Sequence, residues 1–131
     1  MILLDTNICI YLINARPQQV LARFRQHRLG EIGISSIVAA ELAFGVTKSG
    51  SERNLRALEM FLAPLELLSF DERCVWAYGR VRADLERRGE PIGALDTMIA
   101  AHALAADATL VTNNLREFSR VPGLRLENWA E

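Results

Sequence analysis

Residues 2–7 read Ile2-Leu3-Leu4-Asp5-Thr6-Asn7, a short apolar run that ends on a carboxylate. Three apolar residues running straight into a helix-capping type predict a buried strand followed by a helix over Thr6 to Asn14. The figure recurs along the chain. Glu31 to Ile34, Leu65 to Ser69, Thr109-Leu110-Val111 and Leu124 to Leu126 read as further strands. Helices are expected over Gln18 to His27, from a Ser35 or Ser36 cap to about Val46, and from a Ser51 cap to Leu62. Others are expected from an Asp71 cap to Arg88, over Ala94 to Ala106, and as a turn over Leu115 to Phe118. Short apolar strands alternating with helices demand crossover connections. The fold class is therefore α/β, with a mostly parallel central sheet flanked by helices. Ligands of such sheets bind beyond the carboxyl ends of the strands, where Asp5 sits.

The rest of the composition narrows the class. The 131 residues fit one domain, 1–131, able to bury a core without disulfide or metal. Cys9 and Cys74 form no zinc-like spacing and no disulfide framework, which suits a reducing compartment. Met1 to Ile13 is apolar but lacks a basic flank and a cleavage site, and no run is long enough to span a bilayer. A cytoplasmic chain without a membrane is the expectation. Net charge is −1, so the molecule is no bulk polycation. Its basic residues are all Arg except Lys48, in a stretch, Lys48-Ser49-Gly50-Ser51, that reads as a loop. Arginine grips phosphate bidentately, but a GC-biased genome would produce the same usage.

Acidic side chains stand where apolar ones belong. Asp5 alone could be a helix cap. Glu41 shares its helical face with Ile37, Val38, Phe44 and Gly45, and Asp96 shares its own with Ile99, Ala100 and Ala103. Burying an unpaired carboxylate costs several kcal/mol, so each needs an Arg partner, a set of backbone donors or a function. Thr112-Asn113-Asn114-Leu115-Arg116-Glu117-Phe118 places more polar groups just past a strand, where Glu117 or Asn114 could turn toward the same mouth. Several carboxylates at one mouth repel, and a hard divalent cation such as Mg²⁺ or Mn²⁺ relieves the conflict. A cation so held suits hydrolysis of phosphodiesters.

These residues resemble the PIN-domain ribonucleases, and among them the VapC toxins of type II toxin–antitoxin pairs. The similarity is carried by Leu4-Asp5-Thr6-Asn7; by Ile34 to Leu42 with Gly45; by Pro91 to Asp96 running into Ile99 to Ala103; and by Leu110 to Asn114 with Glu117-Phe118. The closing Val121-Pro122-Gly123-Leu124 to Trp129 matches as well. The resemblance implies a three-layer PIN sandwich and assigns catalytic and metal-binding roles to Asp5, Glu41, Asp96 and Glu117. It implies support from Thr6, Asn7, Thr112 and Asn114. It further implies a Mg²⁺-dependent (or Mn²⁺-dependent) endoribonuclease, a homodimer silenced by a VapB-type antitoxin that itself carries the DNA contact, and a tRNA substrate cut in the anticodon region. Arg82 and Arg116 are candidates for flanking phosphates.

Rival readings stay in view. A phosphoacceptor receiver domain needs a lysine at a late strand end, and Lys48 is not there. A haloacid-dehalogenase-like phosphatase needs Asp-x-Asp where this chain has Asp5-Thr6-Asn7. A catalytically silent PIN-fold module binding RNA or protein, or an enzyme acting on ribosomal RNA, remains as the alternative. His27 is expected to be exposed and His102 to pack or face solvent. Trp76, Tyr78 and Trp129 are expected to serve as core or interface anchors.

Overall fold

A computed structural model describes all of residues 1–131. The strands are β1 (Ile2–Leu4), β2 (Ile32–Ser35), β3 (Glu66–Leu68), β4 (Thr109–Val111) and β5 (Arg125–Glu127). They form a single sheet in the order β3-β2-β1-β4-β5, with every neighbouring pair parallel. Leu3, Leu4, Ile32, Ile34, Leu110 and Val111 are all buried, as strands covered on both faces require. The chain steps from β1 to β2 to β3 on one side, then crosses to β4 and β5 on the other. The switch point therefore lies between the carboxyl ends of β1 and β4, where the two connections part and leave a crevice.

Seven helices surround the sheet: α1 (Thr6–Ile13), α2 (Gln18–Arg25), α3 (Ser36–Ser49), α4 (Glu52–Leu62), α5 (Glu72–Arg87), α6 (Ala94–Ala105) and α7 (Leu115–Phe118). Side-chain caps set their starts. Ser35, rather than Ser36, caps α3 by accepting from the Ile37 N–H, Ser51 caps α4 and Asp71 caps α5. The Ser36 hydroxyl instead accepts from the Phe70 N–H at 3.0 Å. Helix α3 runs three residues beyond the expected Val46, to Gly50 in a left-handed cap. Lys48 is thus helical, not in a loop, because only at Gly50 does the backbone turn left-handed without penalty. A short 3₁₀ turn over Leu29–Glu31 was not foreseen; the Glu31 carboxylate closes it by accepting from the Arg28 N–H.

The C-terminus is pinned. Trp129 is fully buried, and its indole N–H donates to Glu127 Oε1, which also accepts from Arg23 at 3.0 Å. His27 is not freely exposed as expected. Its ring stacks on Trp129 with centroids 5.4 Å apart, because the end of the chain folds back over α2. Gly33 is the tight point of the sheet. A Cβ there would lie 3.0 Å from Leu68 Cδ1 and 3.1 Å from both Leu3 Cδ2 and Met1 Sδ. Gly33→Val should therefore lower unfolding stability by about 1–3 kcal/mol through overpacking. Gly30→Ala, which meets nothing within 4 Å, should stay within about 0.5 kcal/mol of the parent in the same urea titration.

Candidate metal centre

The switch-point crevice is where the acids gather. Asp5 follows β1 directly and is 6% exposed. Its N–H donates to the Val111 carbonyl at 2.9 Å, which locks the end of β1 to the end of β4. Its side chain does cap α1, with Oδ1 accepting from the Thr6 N–H at 2.8 Å. The other oxygen, Oδ2, accepts from the fully buried Thr112 hydroxyl at 2.7 Å. Thr112 in turn accepts the Asn114 N–H at 3.0 Å, so this one hydroxyl fixes both Asp5 and the start of α7. Thr6 works on the opposite side, donating its hydroxyl to Glu41 Oε1 at 3.0 Å.

Glu41 has no arginine partner, and the stripe around it is only half covered. Val38 is buried, whereas Phe44 is 68% exposed and Gly45 is open. Asp96 occupies the first turn of α6, behind the Gly93 cap. Neither a guanidinium nor a backbone N–H pairs with it: no ion pair in the chain involves Asp5, Glu41, Asp96 or Glu117. Glu117 projects from α7 into hydrogen-bonding reach of Asp96. Desolvation first, then the Glu117 hydrogen bond and the charges of Asp5, Glu117 and Glu41, push the Asp96 carboxyl up to about 7. Burial raises Asp5 as well, against the pull of Thr112 and Thr6.

The structure thus brings Asp5, Glu41, Asp96 and Glu117 to one mouth, with Thr6 and Thr112 between them. No three of these acids stand together at metal-ligating separation; Asp5 and Glu41 are instead turned to their threonine donors. Asn114 contributes its backbone N–H and caps α7, but its side chain makes no hydrogen bond, so Glu117 is the acid of this segment that reaches Asp96. Asn7 is exposed and unbonded at the rim. Arg116 is exposed and free of ion pairs beside Glu117, whereas Arg82 is held on α5 by Tyr78 at 3.0 Å and Glu86 at 3.4 Å. Sequence reasoning passed over the buried bridge between His102 Nδ1 and Ser35 Oγ, 2.7 Å, which ties α6 to the start of α3. A serine closing a strand was the available signal. Ser35 Oγ also accepts the Ile37 N–H, and burial lowers the pKa of the His102 imidazole, so the bridge joins a hydroxyl to a neutral ring.

The donor set, all carboxylate and hydroxyl oxygen, fits a hard divalent cation. Without one, the crowded mouth retains a proton on Asp96. The folded chain then binds a proton, between the ordinary value near 3.8 and about 7, that the unfolded chain has lost. Stability from this group is full below that window and is lost as pH rises through it. His102, lowered by burial, contributes in the opposite sense, so the comparison must be between variants. In chelator, Asp96→Asn should gain thermal stability over the parent as pH is raised from 4 to 7.5. A second expectation concerns the threonine. Thr112→Val should cost about 1–3 kcal/mol by leaving the Asn114 N–H unpaired, and Thr112→Ser should restore most of it in the same denaturation assay.

The PIN domain family model matches residues 2–124. The chain is 48% identical over 129 residues to Ribonuclease VapC2 of Rickettsia felis, covering 97% of this chain and 96% of the relative. It is 44% identical over 128 residues to the tRNA(fMet)-specific endonuclease VapC of Salmonella typhimurium, covering 97% and 96%. Among solved structures it is similar to that of VapBC2 from Rickettsia felis bound to a DNA fragment from their promoter. The TM-score is 0.91 at 47% identity, over 98% of this chain and 99% of the other. Sheet order and these likenesses agree: the chain belongs to the PIN-domain family, in its VapC ribonuclease branch.

Proposed function

We propose that residues 1–131 form one PIN domain that acts as the toxin of a type II toxin–antitoxin pair. It is a divalent-metal-dependent endoribonuclease that cuts tRNA, the initiator species in its anticodon region being the favoured substrate, and so stops translation. The observation that carries this reading is the gathering of Asp5, Glu41 and Glu117 around Asp96, whose carboxyl is raised to about 7 by burial first and then by Glu117, Asp5 and Glu41, with no cationic side chain to relieve it. The relatives' names support ribonuclease action and, for the Salmonella protein, the tRNA. The DNA-bound VapBC complexes support a VapB-type antitoxin partner; in the same reading the antitoxin carries the DNA contact and the toxin pairs with a second copy of itself. The cytoplasm is the compartment where such a substrate is met.

Asp5, Glu41, Asp96 and Glu117 would hold Mg²⁺, with Mn²⁺ a workable substitute. The bound ion would supply positive charge against the phosphoryl oxygens and lower the pKa of attacking water. Thr112 and the Thr6 N–H keep both Asp5 oxygens aimed at the mouth, and the Thr6 hydroxyl does the same for Glu41. Asp96, whose carboxyl is raised to about 7, would release its proton to become a ligand of the ion. Arg116, unpaired at the rim, meets a phosphate next to the scissile one. Splayed single-stranded loops suit the crevice because only there is the backbone accessible.

Purified chain with Mg²⁺ should cut the tRNA of a total cellular RNA preparation at discrete sites, seen by sequencing of new 5′ ends, and should be inert in chelator. Asp5→Asn and Asp96→Asn should each lower the rate at least about 100-fold, the scale set by losing a group that handles charge at the reacting centre. Both variants should keep the parent's circular dichroism. Cleavage by both at the parental rate overturns the site, and ends that map to ribosomal RNA overturn the tRNA assignment.

A further inference from the structure

Helix α5 carries a feature that the acid crevice does not use. Arg73, Trp76, Arg80 and Arg87 fall within about 60° of arc on a wheel of ~100° per residue. All four are exposed, and Trp76 is 65% exposed even though Cys74, Ala77, Val81 and Leu85 bury the other face of the same helix. Trp76 is therefore not the core anchor that its residue type suggests. Arg80 and Arg87 make no ion pair, and Arg73 has only Asp71, at 3.7 Å. Of the acids on the same helix, Asp84 is held by Arg88 at 2.9 Å and Glu86 by Arg82 at 3.4 Å, which leaves Glu72, exposed at the first turn, as the one free carboxylate beside three stripe arginines. Beside the stripe runs a groove of about 590 Å³ whose walls include Arg73, Trp76, Arg80, Leu104 and Ala105.

The direction of the stripe matters. The groove joins the start of α5 to the end of α6, while a second cleft joins Leu85 and Glu86 to Ala94 and Thr97. The two helices are therefore antiparallel, and Arg87 lies at the same end of the pair as Asp96. From Arg73 to Arg87 the stripe spans about 21 Å at ~1.5 Å per residue. Unneutralised guanidiniums at this spacing seek a polyanion, and an open indole among them offers a face on which a base can stack. A two-fold contact between copies through this stripe would bring like charges together, which disfavours that occupant.

We propose that the α5 stripe is a secondary RNA-binding track. Arg73, Arg80 and Arg87 take phosphates of the RNA body remote from the cut, and Trp76 stacks an unpaired base, so that a long RNA is held while its loop enters the acid crevice. The proposal rests on the ribonuclease reading, and its test separates the two. Binding is measured by anisotropy of labelled full-length tRNA on the Asp96→Asn chain, with and without Arg80→Ala and Arg87→Ala together. The double change should weaken binding roughly 10-fold and lower the slope of log K against log salt by about 0.7–0.9 per arginine. Trp76→Phe should remove the quenching of exposed indole fluorescence by RNA. With Asp96 intact, kcat/KM on full-length tRNA should fall by a similar factor, while a short stem-loop carrying the same site should be cut within about 2-fold of the parental rate, since it does not reach the stripe. Unchanged affinity and salt slope overturn the track. So does a dimer that Trp76→Ala converts to monomer with RNA binding intact, which would make the face a contact between copies. If the parent chain cuts neither RNA but binds tRNA through these arginines, the track stands and the nuclease reading falls. If it binds none, both fall.

Discussion

Asp5 is tied down through three of its atoms. Its N–H reaches the Val111 carbonyl, one carboxylate oxygen takes the Thr6 N–H, and the other takes the Thr112 hydroxyl. Those bonds join the ends of β1 and β4 across the point where the chain's two winding directions part, and they hold a charged group where water is scarce. The other acids of the mouth derive their character from this. Glu41 is oriented by the residue next to Asp5, and Asp96 feels the Asp5 charge in addition to Glu117. A buried carboxylate with neutral donors but no cationic partner is a standing electrostatic cost. In a chain of this size the fold can carry it because Leu3, Leu4, Leu110 and Val111, on the same two strands, are completely buried.

Outside the crevice six of the fourteen arginines pair with carboxylates, among them Arg23 with Glu127, Arg88 with Asp84 and Glu90, and Arg125 with Asp107. None is placed to quench the crevice acids. A guanidinium there would stabilise the resting fold and remove the site's affinity for a cation. The thiols are equally uninvolved, since burial raises both Cys9 and Cys74 and keeps them protonated.

Much of this was legible in the residues themselves. Ile2-Leu3-Leu4 is apolar without alternation and Leu110-Val111 repeats this behind the β-branched Thr109, the pattern that strands covered on both faces have. Glu41 and Asp96 announced themselves by sitting on apolar faces. Helix ends were less readable. Ser35 and Ser36 are equivalent as types, and only the position of Phe70, far away in sequence, determines which one is free to cap α3. The α3 terminus depended on Gly50 adopting a left-handed conformation, a choice made by the turn into α4. Partners across the chain were invisible: Thr6 for Glu41, Ser35 for His102, Trp129 for His27. The exposure of Trp76 could not be read either, because residue type favours burial and only the packing of α5 on α6 shows which face is left open.

The central claim is that one mouth holds several carboxylates whose conflict is settled by a proton at rest and by a cation at work. Calorimetric titration of Mn²⁺ into the metal-free chain at pH 6, repeated in buffers of different ionisation enthalpy, counts the protons released on binding. The account predicts release approaching one proton per site for the parent chain and close to none for Asp96→Asn. Binding with no proton release by the parent, or identical release by the variant, would contradict it.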